Sequence, residues 1–257
     1  LSGEKWVDDA GEQAYRIDGK VYSFPMGVEG RGLIYNKTAI EKTLGKTFDP
    51  AAYNTLDKLK GLFEELKAKG METPVVLSKE DWSLGAHYFG YQYIIQSEKP
   101  EENAAYIERL KKGEIDLKTD ARFNELMDTF DLLMRYNKNG KAPLDAKYEV
   151  DPSYIVDGEA AFWFNGNWAW PNMKEFITDD NQAEFGLMLL PIGNNADDFV
   201  NNNLLGTASK QILIDKTKTS EADQKAAKDF LNWLVYDEAG QKAMVETLQL
   251  VPAFKNI

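Results

Sequence analysis

Cysteine is absent from the 257-residue sequence, and histidine occurs once, at His87. The first absence removes disulfides, zinc thiolate centres and thiol nucleophiles together, while leaving the redox compartment open. A single histidine excludes His-pair metal sites, and any His-dependent triad would have to be built on that residue alone. Within Trp82-Ser83-Leu84-Gly85-Ala86-His87-Tyr88-Phe89 it reads as an ordinary helix residue. No glycine-rich loop has a phosphate-cradling pattern, because Gly27, Gly30 and Gly32 lack the spacing and the lysine, so nucleotide binding is not indicated. Calcium-loop spacing is missing too, and Asp8-Asp9 and Asp179-Asp180 read as solvated turns. No metal or cofactor is expected. No apolar run approaches the roughly 20 residues of a membrane-spanning helix. Residues 1–10 lack the basic and apolar stretches of a signal peptide, and the opening reads as mid-sequence. A fragment or processed form is expected, with any export signal upstream.

What is present is acidic and aromatic. Against 30 basic residues stand 42 acidic ones, a formal net charge of -12. Such a field repels phosphate backbones and anionic lipid, so nucleic acid is not an expected partner. The chain is 43% hydrophobic, enough for a real core, and 12% aromatic, including six Trp. Aromatic faces outside the core suit flat apolar ligand surfaces such as sugars.

Along the chain, Asp18-Gly19 signals a hairpin turn, and 21–24 alternates as a strand that Pro25 is expected to end, with a second strand at 32–35. Leu56, Leu59, Leu62, Phe63 and Leu66 recur at helical spacing over 54–69, and Gly70 stands where a helix C-terminus favours a left-handed residue. The strand at 74–77 follows. This β-α-β succession predicts a parallel sheet with the helix on its face. Another helix over 123–134 would start at Asp120 and stop at Asn139-Gly140; strands are expected at 160–164, 185–190 and 211–214. The polar stretch 194–203 is the candidate for a domain crossing. Ser220 with Asp223 forms a capping-box pattern for a helix through Leu234, and Asp237 caps a second one. The fold class is therefore α/β, built of β-α units, with no internal repeat and no low-complexity tract.

One segment stands out: Gly158-Glu159-Ala160-Ala161-Phe162-Trp163-Phe164-Asn165-Gly166-Asn167-Trp168-Ala169-Trp170-Pro171-Asn172-Met173. A strand ends in Asn-Gly and a Trp-X-Trp pair follows at the sheet's carboxyl edge, where open α/β sheets bind ligands. Trp168 and Trp170 are the candidate rings there, with nearby Glu, Asn and Arg as partners for hydroxyls; the competing reading places both indoles in the core.

This segment resembles the extracellular solute-binding proteins of bacterial sugar ABC importers, the maltodextrin receptors among them. The likeness extends to 19–25 followed by Val28-Glu29-Gly30-Arg31-Gly32-Leu33-Ile34-Tyr35-Asn36-Lys37, to Lys79-Glu80-Asp81-Trp82, to the helix pair over 226–241 and to Leu250-Val251-Pro252-Ala253. It implies a periplasmic-binding-protein-like, two-lobed fold of type II, with the first lobe incomplete. Residues 1–27 and 203–251 would be parts of that lobe and 28–199 the second lobe. Hinge crossings would lie near 25–31, 199–204 and 250–254.

The resemblance also implies that Trp168, Glu29, Glu80 and Trp82 face a ligand; Arg31 and Asn167, which match the maltodextrin receptors less closely, and Trp170, the second ring of the pair, are the further candidates. Trp168 would stack on a pyranose, and Glu29 and Glu80 would accept from its hydroxyls. The implied function is an extracytoplasmic, non-enzymatic receptor that binds a carbohydrate, maltodextrin-like, in an interlobe cleft and delivers it to ABC permease subunits. A lipid anchor upstream would be its membrane connection. Maltodextrin receptors carry Tyr where Trp82 stands and Pro where Asn167 stands, which bears on the sugar. Alternatives are a glycoside hydrolase with a carboxylate pair and a peptide-binding surface module.

Overall fold

The computed structural model describes all 257 residues. They divide into two compact units, Leu1–Gly30 with Gly206–Ile257, and Arg31–Leu205. In chain order the strands are β1 (Arg16–Ile17), β2 (Lys20–Val21), β3 (Ser23–Asn36), β4 (Val75–Val76), β5 (Phe162–Gly166), β6 (Phe185–Met188) and β7 (Leu205–Leu213). The helices of four residues or more are α1 (Trp6–Ala10), α2 (Lys37–Leu44), α3 (Leu56–Ala68), α4 (Pro100–Lys111), α5 (Ala121–Arg135), α6 (Asp151–Val156), α7 (Trp170–Lys174), α8 (Glu221–Tyr236) and α9 (Glu238–Lys242), apart from short 3₁₀ and π-helical turns.

In the first unit, β1 and β2 pair antiparallel around Asp18 (φ 48) and Gly19 (φ 74). Two successive positive φ values are what a tight hairpin turn demands. The core here gathers Trp6, Phe24 and Phe254, with Phe24 5.0 Å from Trp6 and 4.9 Å from Phe254, against Leu234, Val235 and Met244. The Ser220–Asp223 capping box opens α8, and the Asp237 side chain accepts from Ala239 N–H to open α9. Phe230 stacks on Trp233 at 5.8 Å along α8, yet the two remain 54% and 39% exposed.

The second unit is built on a sheet in the order β4-β5-β3-β6. It is mixed and not parallel as the local succession suggests. β5 pairs antiparallel with β3 and parallel with β4, and β6 pairs antiparallel with β3. The reason is non-local: β5 arrives some ninety residues after β4 and inserts between it and β3, so the β-α-β neighbours in sequence are not neighbours in the sheet. Two further expectations are corrected. Pro25 does not end a strand, because its fixed φ is compatible with extended backbone and β3 runs through it for 14 residues. The helix capped by Asp120 stops at Arg135, short of Asn139-Gly140.

Strand alternation divides the second unit into two cores. Phe162 and Phe164 of β5 and Leu33 of β3 face a large one, filled by Ile40, Leu62, Phe63 and Leu133 from α2, α3 and α5. Trp163 and Ile34 face a smaller one with Val76, Ile155 and Met173, roofed by α6 and α7. The polar stretch 194–203 belongs to this unit. Its Asn201, wholly buried, donates to Ile192 O and Asn195 O, both at 2.9 Å, and accepts from Ile192 N–H at 2.8 Å. The chain leaves the unit at Leu205.

Candidate functional site

On the smaller-core face of the second unit five rings form a continuous series. Trp168 lies 4.7 Å from His87, His87 5.5 Å from Trp82, Trp82 5.1 Å from Tyr148, and Tyr148 5.7 Å from Trp163. Each pair is tilted or edge-on, the arrangement that ring quadrupoles favour. Trp163 is fully buried, while Trp168, Trp82, His87 and Tyr148 are half-buried and keep part of their surfaces to solvent.

Local backbone explains how these rings meet. Trp82 and His87 are five residues apart, which on an α-helix would turn them ~140° away from each other. Residues 82–88 instead form a π-helical turn, whose i→i+5 bonding brings such a pair to one side; turns of this kind recur at functional sites. Asp81 opens it by accepting from Trp82 N–H at 2.8 Å, and Glu80 O accepts from Ser83 and Leu84 at 3.0 and 3.1 Å. Trp168 follows β5 in a single 3₁₀ turn, Asn167–Ala169.

Glu80, half-buried, stands within the electrostatic reach of Tyr148 and Asp151. Its Oε2 is buried without a hydrogen-bond partner in the chain. Beneath the rings, Trp163 Nε1–H donates to Ser78 Oγ at 3.0 Å and the Ser78 hydroxyl donates to Asp151 Oδ2 at 2.5 Å. Burial pushes the Asp151 carboxyl up to about 6, the charges of Glu80 and Glu149 push the same way, and the Ser78 hydrogen bond opposes them. Burial likewise raises the Tyr148 phenol.

Of the residues chosen from sequence, Trp82 and Trp168 share this cluster, bridged by His87, and Glu80 lies beside it. Asn167 and Trp170 line a different feature, a largely apolar cavity of about 470 Å³ against β6 with Ile34, Met173 and Phe185. Trp170 is 36% exposed and lies 6.0 Å from Phe185. Arg31 alternates with Leu33 onto the large-core face, where its guanidinium packs over the Tyr91 ring at 5.0 Å and its carbonyl accepts from Tyr91 OH at 2.9 Å. Glu29 belongs to the first unit, where its carboxylate accepts from Ser209 OH and from Lys210 Nζ, the latter at 2.5 Å.

Sequence reasoning missed His87 as a member of the cluster, together with Tyr148, Ser78 and Asp151. The signals available were weak: Ser78 directly precedes the Lys79–Trp82 segment, and Asp151-Pro152 is a helix-start pattern. No motif pointed to Tyr148.

The cluster offers flat apolar ring faces beside an acidic acceptor, a combination suited to a ligand with C–H faces and hydroxyls. No group of three or more His, Asp or Glu stands together to hold a metal ion, and no helix is long and apolar enough to cross a membrane.

Comparison with known proteins follows the same line. The profile of a family described as bacterial extracellular solute-binding protein matches residues 4–257. A multiple sugar-binding protein of Streptococcus mutans is 31% identical over 180 residues, which are 69% of this chain and 40% of that protein. The structure of the solute-binding protein RafE with raffinose superposes with a TM-score of 0.73 at 19% identity, over 100% of this chain and 63% of that one; RafE comes from Streptococcus pneumoniae. A Bifidobacterium animalis transporter-binding protein in complex with mannobiose gives a TM-score of 0.59 at 20% identity, over 89% and 52%. These structural likenesses show the two-lobed solute-binding fold. The chain spans 40% of the length of the Streptococcus mutans protein and 63% of the RafE chain.

Proposed function

The chain belongs to the bacterial extracellular solute-binding protein family, and from that membership and the site's geometry we propose that it is the carbohydrate-recognising part of an ABC importer's receptor. The observation that carries the reading is the half-buried series Trp168–His87–Trp82–Tyr148 beside Glu80. A pyranose lays its C–H face on the Trp168 indole, and Glu80 accepts from its hydroxyls, a charge-assisted bond stronger than a neutral one. Sugar-binding relatives support the ligand class: the Streptococcus mutans protein by name, RafE by its raffinose and the Bifidobacterium protein by its mannobiose.

Binding leaves the carbohydrate unchanged. The relatives support this, since the names they carry describe sugar binding. We assign Arg31–Leu205 as a whole ligand-binding lobe and the first unit as part of a larger one, which the exposed Phe230, Trp233 and Leu213 support as surface awaiting cover. The receptor works outside the cytoplasmic membrane, in the periplasm or held at the cell surface by a lipid, and hands its sugar to the permease subunits. Asn167 and Trp170, which line the cavity against β6, are the secondary contacts in this reading.

Calorimetric titration of the protein in its full natural length with raffinose, mannobiose, a chitin oligosaccharide and galactose tests this. Saturable binding of at least one, with the sugar recovered intact, is expected. No binding across the panel, or release of hydrolysis products, would overturn it.

A further inference from the structure

One buried acid is left without a part in this reading. Asp151 opens α6 with no exposed surface; its Oδ2 takes the Ser78 hydroxyl at 2.5 Å, and its Oδ1 is buried with no hydrogen-bond partner in the chain. Ser78 in turn takes the Trp163 indole N–H at 3.0 Å. Ser78 lies two residues before Glu80 and four before Trp82, and the Trp163 ring touches Tyr148, which touches Trp82. The Ser78 hydroxyl thus ties the loop that carries Glu80 to Trp163 of β5, and the Asp151 carboxyl anchors that hydroxyl to α6.

We propose that Asp151 is a positioning residue of the carbohydrate site: through Ser78 it holds Trp163 and the Glu80–Trp82 loop in place, and it makes carbohydrate binding take up a proton. The proposal rests on the function argued above and concerns the regulation of the same site.

The physical cause is the cost of a charge in a dry place. The charged groups that act on Asp151 are Glu80, from the loop after β4, and Glu149, just before α6. Both are acids. The other partners are neutral: Ser78 beyond β4, Trp163 of β5 acting through Ser78, and the Tyr148 phenol, whose proton burial and the Asp151 charge hold in place. Burial already raises the carboxyl to about 6. A carbohydrate laid over the rings excludes water from Glu80 and its surroundings, so the ionised form of Asp151 costs more in the complex than in the free protein. The complex therefore holds the proton more tightly, and affinity rises as pH falls through about 6, by linkage.

The test is affinity for raffinose, mannobiose and a chitin oligosaccharide, read by tryptophan fluorescence from about pH 8 to about pH 5. The parent is expected to bind about three- to tenfold more tightly at the lower end, the gain that a rise of half to one pKa unit on binding produces. Asp151→Asn retains an acceptor for Ser78 and cannot titrate, so its profile is expected to be flat over that range. Glu149→Gln, at an exposed residue outside the rings, removes a like charge and is expected to shift the parent's inflection to lower pH, which keeps the test decisive if Asp151→Asn does not fold. Parallel profiles in parent and Asp151→Asn, no pH dependence in the parent, or an unmoved inflection in Glu149→Gln would overturn the proposal. Failure of the parent to bind any carbohydrate at every pH would strike the proposed function itself. That failure is distinguished by the Trp163 indole N–H resonance without ligand, which is expected to titrate near pH 6 in the parent and not in Asp151→Asn; a resonance indifferent to pH would sink the Asp151 role alone.

Discussion

The six-membered ring of Trp168 lies on Gly166, two residues back along the chain, so that a Cβ at residue 166 would overlap its Cζ3, Cη2 and Cε3 atoms. Gly166 has φ -133 and ψ 175, ordinary extended backbone and no turn. The glycine is required by contact, not by dihedral freedom. It ends β5 as a flat platform on which an indole folds back, setting the Trp168 ring beside His87.

Gly166→Ala therefore displaces the ring without straining the backbone. Overpacking of this kind costs about 1–3 kcal/mol, to be read by urea denaturation. Carbohydrate affinity is expected to fall with it, and an alanine variant that binds as well as the parent would separate the platform from the site.

Trp168→Ala is expected to weaken carbohydrate binding by about tenfold or more, because it removes both a stacking face and the apolar area beneath the sugar. Glu80→Gln keeps an acceptor and should lose less. Calorimetric titration of the two, with circular dichroism unchanged from the parent, orders the contributions.

Asn201→Ala removes two donated bonds and one accepted bond at a residue with no exposed surface. Leaving the Ile192 and Asn195 backbone groups unmatched is expected to cost about 3 kcal/mol, since each buried unsatisfied group costs about 1–3 kcal/mol. The loss should appear as a lower denaturation midpoint, with faster hydrogen exchange around 192–201.

Without any ligand, Asp151 also shapes the pH dependence of stability. Its carboxyl binds the proton more tightly folded, at about 6, than at the ordinary value of 3.8. The folded state thus holds more protons than the unfolded one between those values, so this residue's contribution is lost as pH rises from about 4 to about 6 and stays lost above. Asp151→Asn should gain stability relative to the parent over that window and hold a constant difference at higher pH. A difference independent of pH in paired urea titrations would show that the carboxyl is not shifted.

Elements built from local rules were legible in the sequence. The Asp18-Gly19 hairpin, the helix expected over 54–69, the start of the Asp120-led helix, the Ser220–Asp223 capping box and the Asp237 cap all stand where spacing and side-chain chemistry placed them. Each is decided by residues within about one helical turn of one another. The conjunction of Trp82 with Trp168 was legible only as two separate segments; His87, the ring that joins them, looked like an ordinary helix position because periodicity assumes 3.6 residues per turn.

By itself the sequence determined the α/β class, the caps and turns, and the two Trp-bearing segments, because those depend on backbone preferences and hydrophobic period. Only the tertiary structure decided that β5 separates β3 from β4, that a π-helical turn aligns Trp82 with His87, and that Asp151, more than seventy residues away, supports Ser78. Pairing between distant strands and a hydrogen bond beneath a core ring are settled by packing, which no local pattern of residues encodes.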